Sequence, residues 1–211
     1  MFSPAQIRDA LKAHTPLVFP ALPGRRNHLH AGVLVPLLWA PDPRCILTVR
    51  ALELSLHAGE VSFPGGRPDE SDADLYATAL READEELGIE GSTPLGQLSS
   101  VPLYTSDYRL FPFVDELSSH EFRPNASEVS AVLEIPFAAL FRQDSFHAIR
   151  SHYDGAELLC PIFEWEGAAI FGGTAFVLYE LINIIASMTQ QPLPPLVTGK
   201  YSWTDLLSPE S

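Results

Sequence analysis

Residues 65–89 read GGRPDESDADLYATALREADEELGI, and this stretch constrains the fold more than any other. A Gly-Gly turn runs into a long helical pattern that stops at Gly88. At about 100° per residue, Tyr76, Leu80, Ala83 and Leu87 fall on one side, within an arc of about 40°. Glu82, Glu85 and Glu86 fall on the adjoining flank, within about 100°, and Asp84 lies away from them. One flank therefore packs while the next presents three carboxylates at i, i+3 and i+4. Like charges at that spacing repel by a few tenths of a kcal/mol per pair on an isolated helix. Such a cluster beside a packed face calls for a compensating cation; the competing reading is a plain solvated acidic face.

The 211 residues suit one domain with a real core, so 1–211 is read as a single unit. Residues 1–27 form an N-terminal helix and connector, and 190–211 a Pro-rich tail. With 13 Lys and Arg against 27 Asp and Glu, the formal charge is −14. No basic stripe exists to replace phosphate counterions, so no nucleic-acid partner is expected. A small anionic substrate stays compatible if metal ions and a few arginines reverse the field in one cleft. Cys45 and Cys160 sit in apolar strand-like runs without metal-ligand spacing, and read as buried small hydrophobes in a reducing compartment. The N-terminus lacks a signal pattern, so a cytoplasmic location is expected. The most membrane-like run, 168–188, carries Glu180 and Asn183 and is split by Gly172-Gly173. A strand followed by a buried helix explains it better than a span. A homodimer is compatible with the sequence, and nothing in the residues sets the oligomeric state.

Along the chain, Ser3-Pro4 starts a helix over about 4–14. Strands are expected at 28–39, 45–50, 95–101, 109–117, 129–135, 157–165 and 168–171, with Asp42-Pro43 as a turn. Pro112 inside the fourth of these predicts an edge or a bulge. Asp72 is the expected N-cap of a helix over 73–87, and Gly88 its terminator. A short helix is expected at 136–142 and an apolar one at 174–188. The tail from Gln190 is expected on the surface or partly disordered. The non-alternating order of strands and helices predicts one mixed α/β domain.

Three glutamates on one flank are hard oxygen ligands suited to Mg²⁺ or Mn²⁺, the ions typical of sites that also bind substrate phosphates. Glycine backbone can come close to such a metal. Arg81 can pair with a glutamate and hold its rotamer. At this point the residues resemble a known family, the Nudix hydrolases. Gly66, five residues, then Asp72 match the first part of the family's box, with Asp for Glu. Eight residues rather than seven separate Asp72 from Arg81. From Arg81 to Ile89 the match is complete, counting Ala83 as the small aliphatic. The coenzyme A pyrophosphatase subgroup is similar further out, at 47–51 (LTVRA), 59–66 (GEVSFPGG), 123–129 (RPNASEV), 134–136 (EIP) and 170–175 (IFGGTA).

The resemblance implies a Nudix-type α/β/α sandwich with a mixed β-sheet. It implies Mg²⁺ or Mn²⁺ held by Glu82, Glu85 and Glu86 with the Gly66 carbonyl, and Arg81 orienting the cluster. Glu82 and Glu128 carry catalysis, Glu128 as general base or further ligand. Arg50, His57 and Arg67 are candidates for substrate phosphates; for Arg67 and Arg109 a plain surface arginine is the competing reading. The implied reaction hydrolyses coenzyme A or acyl-coenzyme A to 4′-phosphopantetheine, or its acyl derivative, and 3′,5′-ADP. ADP-ribose, a dinucleotide or a nucleotide sugar are the alternatives within the family, and a non-catalytic nucleotide-sensing binder is the alternative of another class. One departure bears on substrate: Ser55 stands four residues before Gly59, where the subgroup signature has arginine.

Overall fold

The computed structural model describes residues 2–118, 121–153 and 155–207. Helix α1 (Pro4–Ala13) begins where the sequence places it. The Ser3 hydroxyl accepts from the Gln6 N–H, and the Gln6 side chain accepts from the Ser3 N–H at 2.9 Å. The chain then runs β1 (Leu29–Leu38), β2 (Arg44–Arg50), β3 (Val61–Ser62), β4 (Gly65–Gly66) and α2 (Leu75–Leu87). After these come β5 (Ser92–Gln97), β6 (Val101–Pro102), β7 (Tyr108–Leu117), β8 (Val129–Pro136) and α3 (Phe137–Phe141). The last part holds β9 (Phe146–Tyr153), β10 (Ala156–Trp165), β11 (Ala168–Ile170), α4 (Gly172–Thr189), β12 (Leu196–Thr198) and α5 (Trp203–Leu206).

The larger sheet follows the order β3-β2-β1-β7-β5, with β4 on β1, β6 on β7 and β8 on β2. It is mixed, because β1 and β7 run parallel while β2 and β5 pair antiparallel to their neighbours. Eight consecutive residues of β1 are buried, as expected of a strand covered on both faces. On one face Leu34 packs against Ala79 and Ala83 of α2. On the other, Val33, Val35 and Leu37 share a core with Ile7 and Leu11 of α1 and with Leu178, Leu181 and Ile182 of α4. A smaller sheet, β11-β10-β9-β12, adds Phe146 and Phe163 to that core. The expected helix–sheet–helix sandwich is present, with this second sheet in addition. Helix α4 is long and apolar enough to cross a membrane, but here it packs into the main core. Cys45 and Cys160 are buried free thiols.

Two local expectations are corrected. Asp74, not Asp72, caps α2, accepting from the Ala77 N–H at 2.8 Å; Asp72 is engaged elsewhere. Gly88 does end the helix, at φ 66°. Strand β7 is interior, not an edge, and Pro112 is tolerated because it lies opposite the break between β5 and β6, where the Leu98 N–H donates to its carbonyl. The described part of the tail is largely exposed, as expected, and it also contributes β12, which pairs parallel with β9; residues 208–211 of the expected tail lie outside the described residues. Strand β9 itself had no expectation, since its alternating pattern of Phe, Ala and Ile with His and Arg gives a weak signal.

Helix α2 crosses β1 at Gly32, where a Cβ would stand 2.1 Å from the Leu75 carbonyl oxygen. Gly32→Ala should therefore force α2 outward and destabilise the protein by about 1–3 kcal/mol, the scale of overpacking a tight contact. Urea denaturation of both proteins at the same pH measures this.

Candidate active site

Strand β4 lies against β1, with Gly66 opposite Gly32 and Gly65 opposite Val33. This pairing brings glycine backbone under the acidic flank of α2. A Cβ on Gly66 would sit 2.5 Å from the Glu82 carboxyl carbon, so a side chain there would displace the Glu82 carboxylate. Gly65, at φ 156°, has the Gly32 carbonyl oxygen 2.4 Å from where its Cβ would be.

The three helix carboxylates meet different surroundings. Glu86 is only 4% exposed. The Gly65 N–H bonds its carboxylate, but its Oε2 atom is buried without a hydrogen-bond partner. Burial pushes its pKa up to about 8; the Arg50 charge opposes this, and Glu82 and Glu128 reinforce it. Glu82 is half-buried and raised by burial, with Arg81 pulling it back. Glu85 is exposed and accepts from Arg81 Nη1 at 3.0 Å.

Arg81 is the hub of this flank. Its Nε donates to Asp72 at 3.1 Å, and its Nη2 to the Arg67 carbonyl at 2.9 Å and to Glu82 at 3.1 Å. Asp72 is thus the anchor of Arg81, and that contact holds its carboxyl down at about 2. The one-residue difference in spacing is absorbed in the segment before the helix, and Asp72 still reaches the guanidinium.

Glu128 arrives from the loop before β8. That loop docks on the end of α2: the Arg123 N–H donates to the Leu87 carbonyl at 2.7 Å, and the Asn125 N–H to the Glu86 carbonyl at 2.9 Å. The Glu128 carbonyl accepts from the Ala51 N–H at 2.8 Å, and its carboxylate from Asn125 Nδ2 at 3.3 Å. Asn125 therefore braces both Glu86 and Glu128. Sequence reasoning gave it no role, although it stood within the Pro-Asn…Glu-Val segment. Arg50, at the end of β2, has its Nε buried without a partner, and its charge acts on both Glu86 and His57. The structure thus brings together Glu82, Glu86, Glu128, Arg50 and the glycine turn.

The other candidates are placed differently. His57, at φ 57°, holds Glu60 through Nδ1 at 3.0 Å, and that bond raises its pKa against the effect of burial. The Arg67 guanidinium sits over the Tyr108 ring, 5.1 Å from its centre, while only its carbonyl touches Arg81. Arg109 is not a surface arginine: it is buried and donates to the Phe19 carbonyl and to Ser100 Oγ.

Among the described residues, no three His, Cys, Asp or Glu side chains are gathered closely enough to hold a metal ion as they stand. Arg81 holds Glu82 and Glu85, and Glu86 turns to Gly65. The donor set nevertheless fits a hard divalent cation. It is all oxygen, it includes an orphaned buried carboxylate oxygen at Glu86, and the space above Gly66 is free of any Cβ. A concavity of about 360 Å³ lies at the far end of α2 around Gly88, Phe122 and Arg123 and shares none of these side chains.

A mixed sheet between helices, with Arg-Glu-x-x-Glu-Glu on the helix that crosses β1 and β4, defines a class of diphosphate-cleaving enzyme. The NUDIX domain family model matches residues 28–153. The chain is 37% identical over 158 residues to "Uncharacterized Nudix hydrolase NudL" of Escherichia coli SMS-3-5, covering 74% of this chain and 82% of that protein. Among solved structures, a MutT/nudix family protein from Enterococcus faecalis matches with a TM-score of 0.54 at 14% identity, over 88% of this chain and 70% of that one. The NUDIX domain of Shewanella oneidensis NrtR, solved with ADP ribose, matches with a TM-score of 0.43 at 17% identity, over 63% of this chain and 80% of that one. The chain belongs to the Nudix family and is a hydrolase of a diphosphate bond.

The buried Glu86 carboxyl gives a pH signature in protein stripped of divalent ions. A carboxyl raised in the folded state contributes stability below its unfolded pKa of about 4.3, and that contribution is lost as pH rises through about 8. In EDTA, Glu86→Gln should match wild type near pH 4 and become the more stable protein at pH 9. Thermal or urea unfolding across that range checks it.

Proposed function

We propose that the enzyme hydrolyses coenzyme A or its acyl derivatives to 4′-phosphopantetheine, or its acyl derivative, and 3′,5′-ADP, with Mg²⁺ or Mn²⁺. The observation that carries the site is the orphaned Glu86 carboxylate facing the glycine turn, with Glu128 close by. Support for the substrate comes from the subgroup-like segments. The 47–51 and 59–66 segments pair through Thr48 and Ser62, Ala51 bonds Glu128, and β11, with the 170–175 segment at its end, packs near β3.

Glu82, Glu85, Glu86 and the Gly66 carbonyl would hold the cation. Bound there, a divalent ion supplies charge neutralisation for the diphosphate and lowers the pKa of water. Arg81, fixed by Asp72, holds the Glu82 and Glu85 carboxylates through hydrogen bonds that a bound cation would replace. Glu128 is the group positioned to take the proton from the attacking water. It is fastened through its backbone to Ala51 and through its carboxylate to Asn125, so its basicity comes from position. The new bond joins water oxygen to phosphorus, the bridging P–O bond breaks, and the leaving phosphate oxygen carries away the electron pair. Arg50, whose charge acts on Glu86 from the β2 side, is the cation assigned to a substrate phosphate.

A screen of coenzyme A, acyl derivatives, ADP-ribose and dinucleotides with products identified by mass tests the substrate; coenzyme A should yield 4′-phosphopantetheine and 3′,5′-ADP. ADP-ribose turnover without coenzyme A turnover would overturn this reading; Ser55, in place of the signature arginine, is the departure that bears on the substrate. Glu86→Gln should lower turnover at fixed Mg²⁺ by at least about a hundredfold. Near wild-type turnover would remove Glu86 from the site. Ser55 is exposed on the loop between β2 and β3; Ser55→Arg should lower KM for coenzyme A with little change in kcat, as added uniform binding does.

A further inference from the structure

The protein carries a formal charge of −14, yet one corner of it is basic and aromatic. Arg25 and Arg26 lie in the connector before β1, and Arg67 follows directly on β4; all three are exposed. Among the described residues none of the three makes an ion pair, in contrast to Arg44, Arg81, Arg123 and Arg150.

The corner is built rather than incidental. Asn27 is buried in a left-handed conformation, at φ 43°. Its Nδ2 donates to the carbonyls of Leu103, Ser106 and Tyr108 at 2.9, 3.1 and 3.0 Å, and its Oδ1 accepts from the Leu22 N–H at 2.9 Å. This staples the arginine segment to the turn between β6 and β7. The Arg26 N–H donates to Asp107 at 2.8 Å, and Arg25 Nε donates to the Tyr104 carbonyl at 2.7 Å. At the other end of the same turn, Tyr108 carries the Arg67 guanidinium on its ring. The Tyr104 ring is 72% exposed. Asp107 is the acid within the corner, and backbone N–H bonds and the nearby His28 and Arg25 charges keep it ionised.

The corner also adjoins the candidate active site. The Arg67 carbonyl bonds Arg81, and its neighbour Gly66 faces Glu82. A ligand held here and at the carboxylates must carry an aromatic ring, a diphosphate and a further anionic group. We propose that Tyr104, Arg25 and Arg26 bind the phosphorylated nucleoside end of the substrate: the base on the Tyr104 face and the terminal phosphate on the two arginines. Arg67 covers the diphosphate side. This rests on the coenzyme A reading above, whose nucleoside carries a 3′-phosphate. The patch is small and set in an acidic surface, which repels a long polyanion and leaves a compact nucleotide as its partner. Stacking supplies affinity for the base, and charge-assisted hydrogen bonds discriminate for the extra phosphate.

The test is calorimetric titration of the full chain with 3′,5′-ADP and with 5′-AMP. Wild type should bind 3′,5′-ADP at least about tenfold more tightly, the scale of one charge-assisted phosphate contact. The Arg25→Ala/Arg26→Ala double variant should bring the ratio close to one, and Arg25→Lys/Arg26→Lys should retain part of it. Tyr104→Ala should weaken both nucleotides alike, by about tenfold. Equal binding of the two nucleotides by wild type, or an unchanged ratio in the double alanine variant, overturns the proposal. This binding pattern with coenzyme A left intact supports the corner and removes only the substrate reading. Hydrolysis of coenzyme A with equal binding removes only the corner.

Discussion

The contact between α2 and β1 leaves no room for a side chain at Gly32, where the helix backbone itself blocks it, and the acidic flank depends on that contact. Because the helix backbone lies so close to the sheet, Glu86 is drawn into the buried layer beside Ala83 and Leu87. A carboxylate in that layer is disfavoured as an anion unless something positive or hydrogen-bonding meets it. One of its oxygens has the Gly65 N–H; the other has nothing. The same contact that organises the core thus creates the electrostatic deficit that a divalent cation would relieve.

The remaining groups divide the work of holding that arrangement. Arg81 neutralises the outer two carboxylates and is itself pinned by Asp72 and the Arg67 carbonyl. The 123–128 loop closes the far side through backbone bonds to Leu87 and Glu86, which fixes Glu128 relative to the helix. Arg50 counters the summed negative charge from the β2 side. Several of these are backbone contacts, so the geometry survives changes of side chain along the loops better than changes at the glycines.

Much of this was legible in the sequence, and the reasons are specific. The 3.6-residue periodicity identified α2 and its acidic flank, and the Ser3-Pro4 pair marked α1. The apolar runs gave β1 and β2. The helix start was misplaced because Asp72 and Asp74 are both good caps, and only the fold shows that Asp72 is occupied by Arg81. Pro112 misled because propensity alone cannot see a neighbouring strand broken between Gln97 and Val101. Arg109 looked like a surface charge since nothing local announces the Phe19 carbonyl, 90 residues away in the chain, that it satisfies. Within the site, the carboxylates on one helix were readable from spacing. The burial of Glu86 and the bracing by Asn125 were not, because both arise from contacts between distant segments.

The most direct measurement is Mn²⁺ affinity, read from the paramagnetic resonance signal of the free ion during titration. Wild type and Glu86→Gln should be compared at pH 8, with circular dichroism confirming that both are folded. Loss of a buried oxygen donor should weaken binding at least about tenfold. Unchanged Mn²⁺ affinity in the folded variant would contradict the assignment of this helix flank as the cation cradle.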